Sequence, residues 1–498
     1  MTKKNKWEKC IWISLALLTY IFANGVLSIP LLAWIYPVLF LKIFDNDDLH
    51  KSWLVLGGIY AVGFVIRFSR VIGMDIWICV LVSILLALLR LLPFWAWKKR
   101  GNAFDATLVY ASASVMIEFL IYAVYPILGG LSDAYTQYQN HYLIQLVSLV
   151  GIYGITFFMN WTAAVAVWIW DNKTRKKELK KYGAAYAGVA LLIFIYGVVM
   201  YDFSTADSGS IRVAGVTVPV SELLNEDEDV YNVFYTDSFT DANLINTKRK
   251  LENVADELLK KTVQEAQSGA EVVVWSELNG AVLKEDEDVL LKKASDVAKE
   301  QKVYLFVSLL VKTPGEDYKE NKVIVLNPLG ESVFEYYKFG RSVGELCQKG
   351  DGELKYVDTE YGRIAALICS DMAFTSKVRQ AGRESVDILM IPASDWEEMT
   401  AIALKTAIVR GIENGCSLVR QTNRGISIAA DWKGDISAME NYFQSDTKTM
   451  TTQVLTKGRF TVYAYIGDLF VWICGVYLFL VFINTWLLNR RKRLALTS

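Results

Sequence analysis

Histidine is almost missing from this sequence: two occur in 498 residues, His50 and His141. Both lie in the apolar N-terminal part, so the polar stretch 202–464 has none. That absence excludes a Ser–His or Cys–His nucleophile pair made from the stretch's own residues, and a histidine-based zinc site with it. Cysteine is sparse as well, at positions 10, 79, 347, 369, 416 and 474, with no metal-ligand spacing and no dense disulfide framework. Cys10, Cys79 and Cys474 fall in apolar runs and read as packing residues, while a Cys347–Cys416 bridge stays open. The formal charge of −1 supplies no field of the kind nucleic acid requires, and there is no Gly-rich phosphate loop and no internal repeat. No metal or organic cofactor is implied.

What the chain has in abundance is apolar length. Eight runs, at about 10–28, 29–44, 52–68, 75–97, 104–128, 143–170, 184–201 and 465–488, are candidates to cross a hydrocarbon layer ~30 Å thick. No small-residue cleavage site follows the first run, which reads as an anchor. The expected organisation is an N-terminal membrane domain of about seven helices (1–201), a domain of ordinary soluble composition (202–464), and a last span with a basic tail (465–498). Basic clusters at Lys3–Lys6, Lys98–Arg100, "KTRKKELKK" 173–181 and "NRRKR" 489–493 all fall on one side if the spans number eight. Positive residues favour the cytoplasmic side, which places 202–464 outside the cytoplasm. Glu118, inside the fifth run, is costly there and reads either as functional or as a paired structural carboxylate.

Within 202–464, strand-like runs alternate with helical ones. "RVAGVTVPV", "EVVVW", "VYLFVSLLV", "KVIVLNP", "SVFEYYK", "RIAALIC", "DILMIPAS", "SLVRQT" and "GISIAA" predict strands, and 242–267, 286–300, 376–384 and 397–414 predict helices. The alternation argues for a layered α/β domain, with a hairpin at "NPLG" 327–330. Three chemically capable residues come directly after strand runs: Glu277, Lys338 and Cys369. In layered α/β domains such ends gather where ligands bind. A carboxylate can act as general base, an ammonium can stabilise thiolate and oxyanion, and a thiolate can attack a carbonyl.

In that chain order and context, Glu277, Lys338 and Cys369 resemble the Glu–Lys–Cys triad of the nitrilase, or carbon–nitrogen hydrolase, superfamily. "ICSDMAF" 368–374 resembles its nucleophile elbow, "PASDW" 392–396 the strand and loop after it, and "AIVRGIENGCSLVRQTNRGIS" 407–427 its helix–strand continuation. With flanking spans, and with "YTQYQNHYLIQLVSLVGIYGITFFMNW" 135–161 and "FTVYAYIGDLFVW" 460–472, the chain resembles the membrane-embedded apolipoprotein N-acyltransferase branch. The resemblance implies a multi-span α-helical membrane domain carrying an α/β four-layer α-β-β-α sandwich on the outer face of a bacterial cytoplasmic membrane. It also implies a phospholipid acyl donor, a lipoprotein N-terminus as acceptor, and a thioester on Cys369. Glu345 corresponds to a second glutamate of that family. Ser370 and Asp371, in the elbow, and Trp396 are supporting candidates, with Trp275 and the aromatics of 334–339 expected to line an apolar site. The alternative is a membrane-anchored amidase or nitrilase using the same triad.

Overall fold

Long runs without polar alternation bury their backbone groups most simply as helices, and the N-terminal part follows that rule. The computed structural model describes residues 3–46, 49–204, 209–237, 239–340 and 345–497. It divides into two units, Met1–Phe203 with Ile466–Ser498, and Ser204–Tyr465.

The helical unit contains α1 (Lys3–Ile21), α2 (Leu32–Asn46), α3 (Leu49–Ile72), α4 (Ile76–Arg100), α5 (Asp105–Val124), α6 (Ile152–Asp171), α7 (Lys176–Asp202) and a last helix, Leu469–Thr497. Among the described residues six of these, from α3 to α7 and the last, are long and apolar enough to cross a membrane. Of the other two, α2 has 15 residues and α1 carries charge in its first turns. The expected sixth span is shorter than its apolar run: α6 begins at Ile152, because Gly151 takes φ +71° and cuts it off from two single turns, His141–Ile144 and Val147–Val150.

A buried ion pair sits inside this unit. Arg67 donates to Asp133, Tyr36 donates to the same carboxylate at 2.7 Å, and the guanidinium lies over the rings of Tyr20 and Phe68 at 4.4 and 4.6 Å. Glu118 accepts from Ser132 and Thr156, both at 2.8 Å, so the intramembrane carboxylate is hydrogen-bonded.

The described residues of the second unit form thirteen strands: β1 (Ser210–Val216), β2 (Val272–Trp275), β3 (Gly280–Leu283), β4 (Tyr304–Lys312), β5 (Glu320–Leu326), β6 (Ser332–Tyr337), β7 (Lys355–Thr359), β8 (Gly362–Ala366), β9 (Ile388–Ser394), β10 (Ser417–Asn423), β11 (Ile426–Ala430), β12 (Ile436–Asn441) and β13 (Thr449–Leu455). They form two mixed sheets, ordered β13-β1-β2-β4-β5-β6, with β3 also on β4, and β12-β11-β10-β9-β8-β7. Strands β1, β2 and β4 are parallel, as are β8, β9 and β10. The "NPLG" turn joins β5 to β6 as an antiparallel hairpin, with Gly330 at φ +80°.

Helices cover the outer faces. Ala255, Leu258 and Leu259 of α8 (Asp241–Gln267) recur at helical spacing and pack with Leu290, Ala294 and Ala298 of α9 (Glu287–Gln301) on Val273, Trp275, Leu305 and Val307. On the other side α11 (Thr400–Asn414) lies against β10 and β11 of the second sheet, and α10 (Thr375–Arg383) packs against α11. The inner faces meet so closely that a Cβ on Gly215 would come within 1.9 Å of Gln421. The result is the expected α-β-β-α layering.

Candidate active site

Parallel pairing puts the carboxyl ends of β2, β8, β9 and β10 on one side of the unit, and β6, antiparallel to β5, ends there too. Glu277, Lys338 and Cys369 follow β2, β6 and β8. Lys338 Nζ donates to Glu277 Oε1 and to Glu345 Oε1, each at 2.8 Å. Asn321, near the start of β5, donates to Glu277 at 2.8 Å and to Glu345 at 3.4 Å. Glu277 and Lys338 are both buried, at 2% and 4% exposure, while Glu345 is partly exposed, so one ammonium serves a buried and a partly exposed carboxylate. Burial opposes the charge on Lys338, yet Glu277 and Glu345 outweigh it and hold the ammonium well above the usual lysine range.

Cys369 does not end its strand as the sequence suggests. Pairing of β8 with β9 stops at Ala366, and Cys369 opens a single 3₁₀ turn, Cys369–Ala373, at φ +45°. A left-handed conformation at a residue with a Cβ costs about 1–3 kcal/mol, and the surroundings must enforce it. Much of that enforcement comes from Asp371. Its carboxylate accepts the N–H of Ile368 at 2.9 Å, of Phe339 at 3.1 Å and of Gly340 at 2.5 Å, and the hydroxyl of Tyr336 at 2.7 Å. Asp371 therefore pins the cysteine turn to the segment that carries Lys338. A Cβ on Gly340 would stand 2.9 Å from the Ser370 carbonyl, so glycine permits this approach. Ser370 closes the same junction by donating to the Gly340 carbonyl.

The Cys369 thiol donates to the Ser394 carbonyl at 3.5 Å. Burial, then the charge of Glu277, push the thiol up, while Lys338 pulls it down. A thiol held in this way stays protonated until a base takes the proton, and Glu277 is charge-coupled to it. Burial also pushes Asp371 up to about 6 against its four hydrogen bonds.

The remaining expectations divide. Trp396, exposed, follows Asp395 just past β9. Trp275 does not line the site: it is fully buried under α8, its indole N–H donating to Thr262 at 2.9 Å, because its position on β2 faces the helical layer. Of the aromatics in 334–339, Tyr336 is buried on Asp371, and Phe339 packs edge-on against Phe374 at 5.2 Å. Cys347 and Cys416 form no disulfide with each other, and their thiols are buried, as those of Cys79 and Cys474 are; Cys10 is exposed. Residues 341–344, between Lys338 and Glu345 in the sequence, lie outside the described residues. Sequence reasoning missed Asn321 and the Arg420–Asp395 pair. For Asn321 and Asp395 a polar residue at a strand end was the available signal; Arg420, in the middle of β10, gave none.

Residues 245–456 match the carbon–nitrogen hydrolase family, and residues 14–165 match the apolipoprotein N-acyltransferase N-terminal domain. The chain belongs to the apolipoprotein N-acyltransferase family of the nitrilase superfamily. It is an acyltransferase. Among curated relatives, apolipoprotein N-acyltransferase 1 of Treponema denticola is 23% identical, with 93% of this chain and 92% of the relative covered. The apolipoprotein N-acyltransferase of Geobacter metallireducens is 24% identical over 69% of this chain and 67% of its own length. An amidase from Nesterenkonia sp. of solved structure aligns with 51% of this chain and 95% of its own, at 16% identity and a TM-score of 0.39.

Proposed function

We propose that this acyltransferase moves an acyl chain from a membrane phospholipid, by way of a thioester on Cys369, to the amino terminus of a diacylglyceryl-cysteine lipoprotein. The observation that carries the reading is Lys338 held between Glu277 and Glu345 at 2.8 Å each, beside a cysteine in a strained turn. Glu277 takes the thiol proton and the thiolate attacks the donor ester carbonyl. Lys338 and backbone N–H groups of the cysteine turn, Ser370 among them, stabilise the tetrahedral oxyanion. The intermediate collapses, Glu277 returns the proton to the departing lysophospholipid oxygen, and a thioester remains. The acceptor's amine attacks the thioester and gives its proton to Glu277. An amide forms, and the released thiolate recovers a proton. Glu345 keeps Lys338 charged and in place, and Trp396 contributes apolar surface for substrate.

Both ends of the α/β unit continue into apolar helices, which suits substrates that are themselves lipids. The basic clusters support an arrangement with this unit outside the cytoplasm of a bacterial inner membrane. The test is mass spectrometry of purified protein incubated with phospholipid. An acyl adduct on Cys369, absent from Cys369→Ala, is expected. A lipid-independent adduct from a soluble amide, with none from phospholipid, would point to a membrane-anchored amidase instead.

A further inference from the structure

A second buried charge pair, unused by the mechanism above, lies behind Cys369. Arg420 on β10 and Asp395 after β9 meet through two parallel bonds, Nη1 to Oδ2 at 2.9 Å and Nη2 to Oδ1 at 2.8 Å. Their side chains are 2% and 3% exposed. Arg420 also donates to Thr422 at 2.8 Å, and Thr400 donates to Asp395 at 3.3 Å. The Asp395 N–H donates to the Asn423 carbonyl at 2.9 Å, so the ends of β9 and β10 are tied together. One residue before Asp395, the Ser394 carbonyl receives the Cys369 thiol.

The charges facing that thiol come from four elements: Glu277 after β2, Lys338 after β6, Asp395 after β9 and Arg420 on β10. Asp371 stands on the thiol's own turn, and Glu345 acts on Lys338. A lone buried guanidinium or carboxylate in such a place would dominate the ionisation of its neighbour, whereas a bidentate pair presents almost no net charge.

We propose that Arg420 and Asp395 are a positioning pair for Cys369: their fork locks the strand end that receives the thiol, and their charges cancel so that Glu277 and Lys338 govern its ionisation. Asp395 pushes the thiol up and Arg420 pulls it down, in line with such cancellation. The inference rests on Cys369 being the nucleophile, but its test reads the thiol and needs no turnover.

Full-length protein in detergent is treated with iodoacetamide at pH 8, and the modified Cys369 peptide is quantified by mass spectrometry, with Cys369→Ala as blank. Arg420→Gln, which leaves a lone carboxylate, should slow alkylation about threefold or more, and Asp395→Asn should speed it by a similar factor. The double variant should return to within about twofold of the natural chain. Simple loosening of the fold moves both single variants in the same direction. That result, no change in either, or a double variant that does not return overturns the proposal. If Arg420→Gln does not fold, the Asp395→Asn variant and the double variant decide: a faster single and a restored double sustain it, and any other result sinks it. A Cys369 that alkylates as expected yet never carries an acyl group would instead refute the acyl-transfer reading and leave the pairing standing.

Discussion

Two buried charge clusters, one in each unit, show how the same residue types serve different ends. In the helical unit Arg67 meets Asp133 one to one, two aromatic faces flank the guanidinium, and a tyrosine hydroxyl caps the carboxylate. In the α/β unit one ammonium, Lys338, is shared by two carboxylates, beside a thiol in a left-handed turn. The first cluster pairs one cation with one anion, which suits a structural joint. The second carries surplus negative charge and a strained nucleophile, which suits chemistry. Buried ion pairs are weak evidence for net stability, but removing one partner is costly because the other is left unpaired. The comparison therefore predicts that damage reads out as lost chemistry in one unit and as lost folding in the other.

The largest expected effect is at Cys369. Cys369→Ala should abolish acyl transfer while leaving the melting temperature close to that of the natural chain, measured by product mass spectrometry and thermal unfolding. Lys338→Met comes next. It leaves Glu277 and Glu345 without their cation and removes oxyanion stabilisation, so turnover should fall about 10²–10³-fold or more. Arg67→Met should show the opposite signature: a loss of roughly 3–5 kcal/mol of stability in detergent, with turnover per folded molecule unchanged.

A smaller effect is expected from acid. Asp371, raised to about 6, takes a proton as pH falls through that value and loses its grip on the Phe339, Gly340 and Ile368 N–H groups. Activity should drop below pH about 6, and Asp371→Asn should be less active throughout and lack that limb. The stability sign is the reverse. The folded value lies above the unfolded one, ~3.9, so through this group lowering the pH from about 6 to about 4 favours the folded state. An acid limb caused instead by unfolding would show as a parallel fall in melting temperature. The smallest effect belongs to Glu118→Gln. An amide oxygen can still accept from Ser132 and Thr156, so the cost should stay near ~1 kcal/mol in the same unfolding experiment.

Much of the α/β layering was legible because β-branched runs such as "EVVVW" and "VYLFVSLLV" have one stable use, as buried central strands. Strands β7, β12 and β13, "KYVDT", "ISAMEN" and "TMTTQVL", escaped notice because they are polar or Thr-rich and take their conformation from a neighbour's ladder. Strand β3 is four residues long and is fixed by pairing with β4. Of the eight apolar runs, six coincide among the described residues with helices long and apolar enough to cross a membrane, and Gly151 shortened one of these, since a single positive φ outweighs the hydropathy of the run around it.

By itself the sequence determined the division into apolar and mixed regions, the order Glu277, Lys338, Cys369, and the impossibility of histidine chemistry in the α/β unit, because these depend on which residues are present and on local periodicity. Only the tertiary structure decided that Glu345 shares Lys338 with Glu277, that Asp371 ties the cysteine turn to the lysine segment, and that Arg420 and Asp395 form a fork behind the thiol. Those pairings join residues between 7 and 61 positions apart. Their partners are chosen by sheet order and strand direction, which bring chain-distant ends to one edge, and no local pattern encodes that choice.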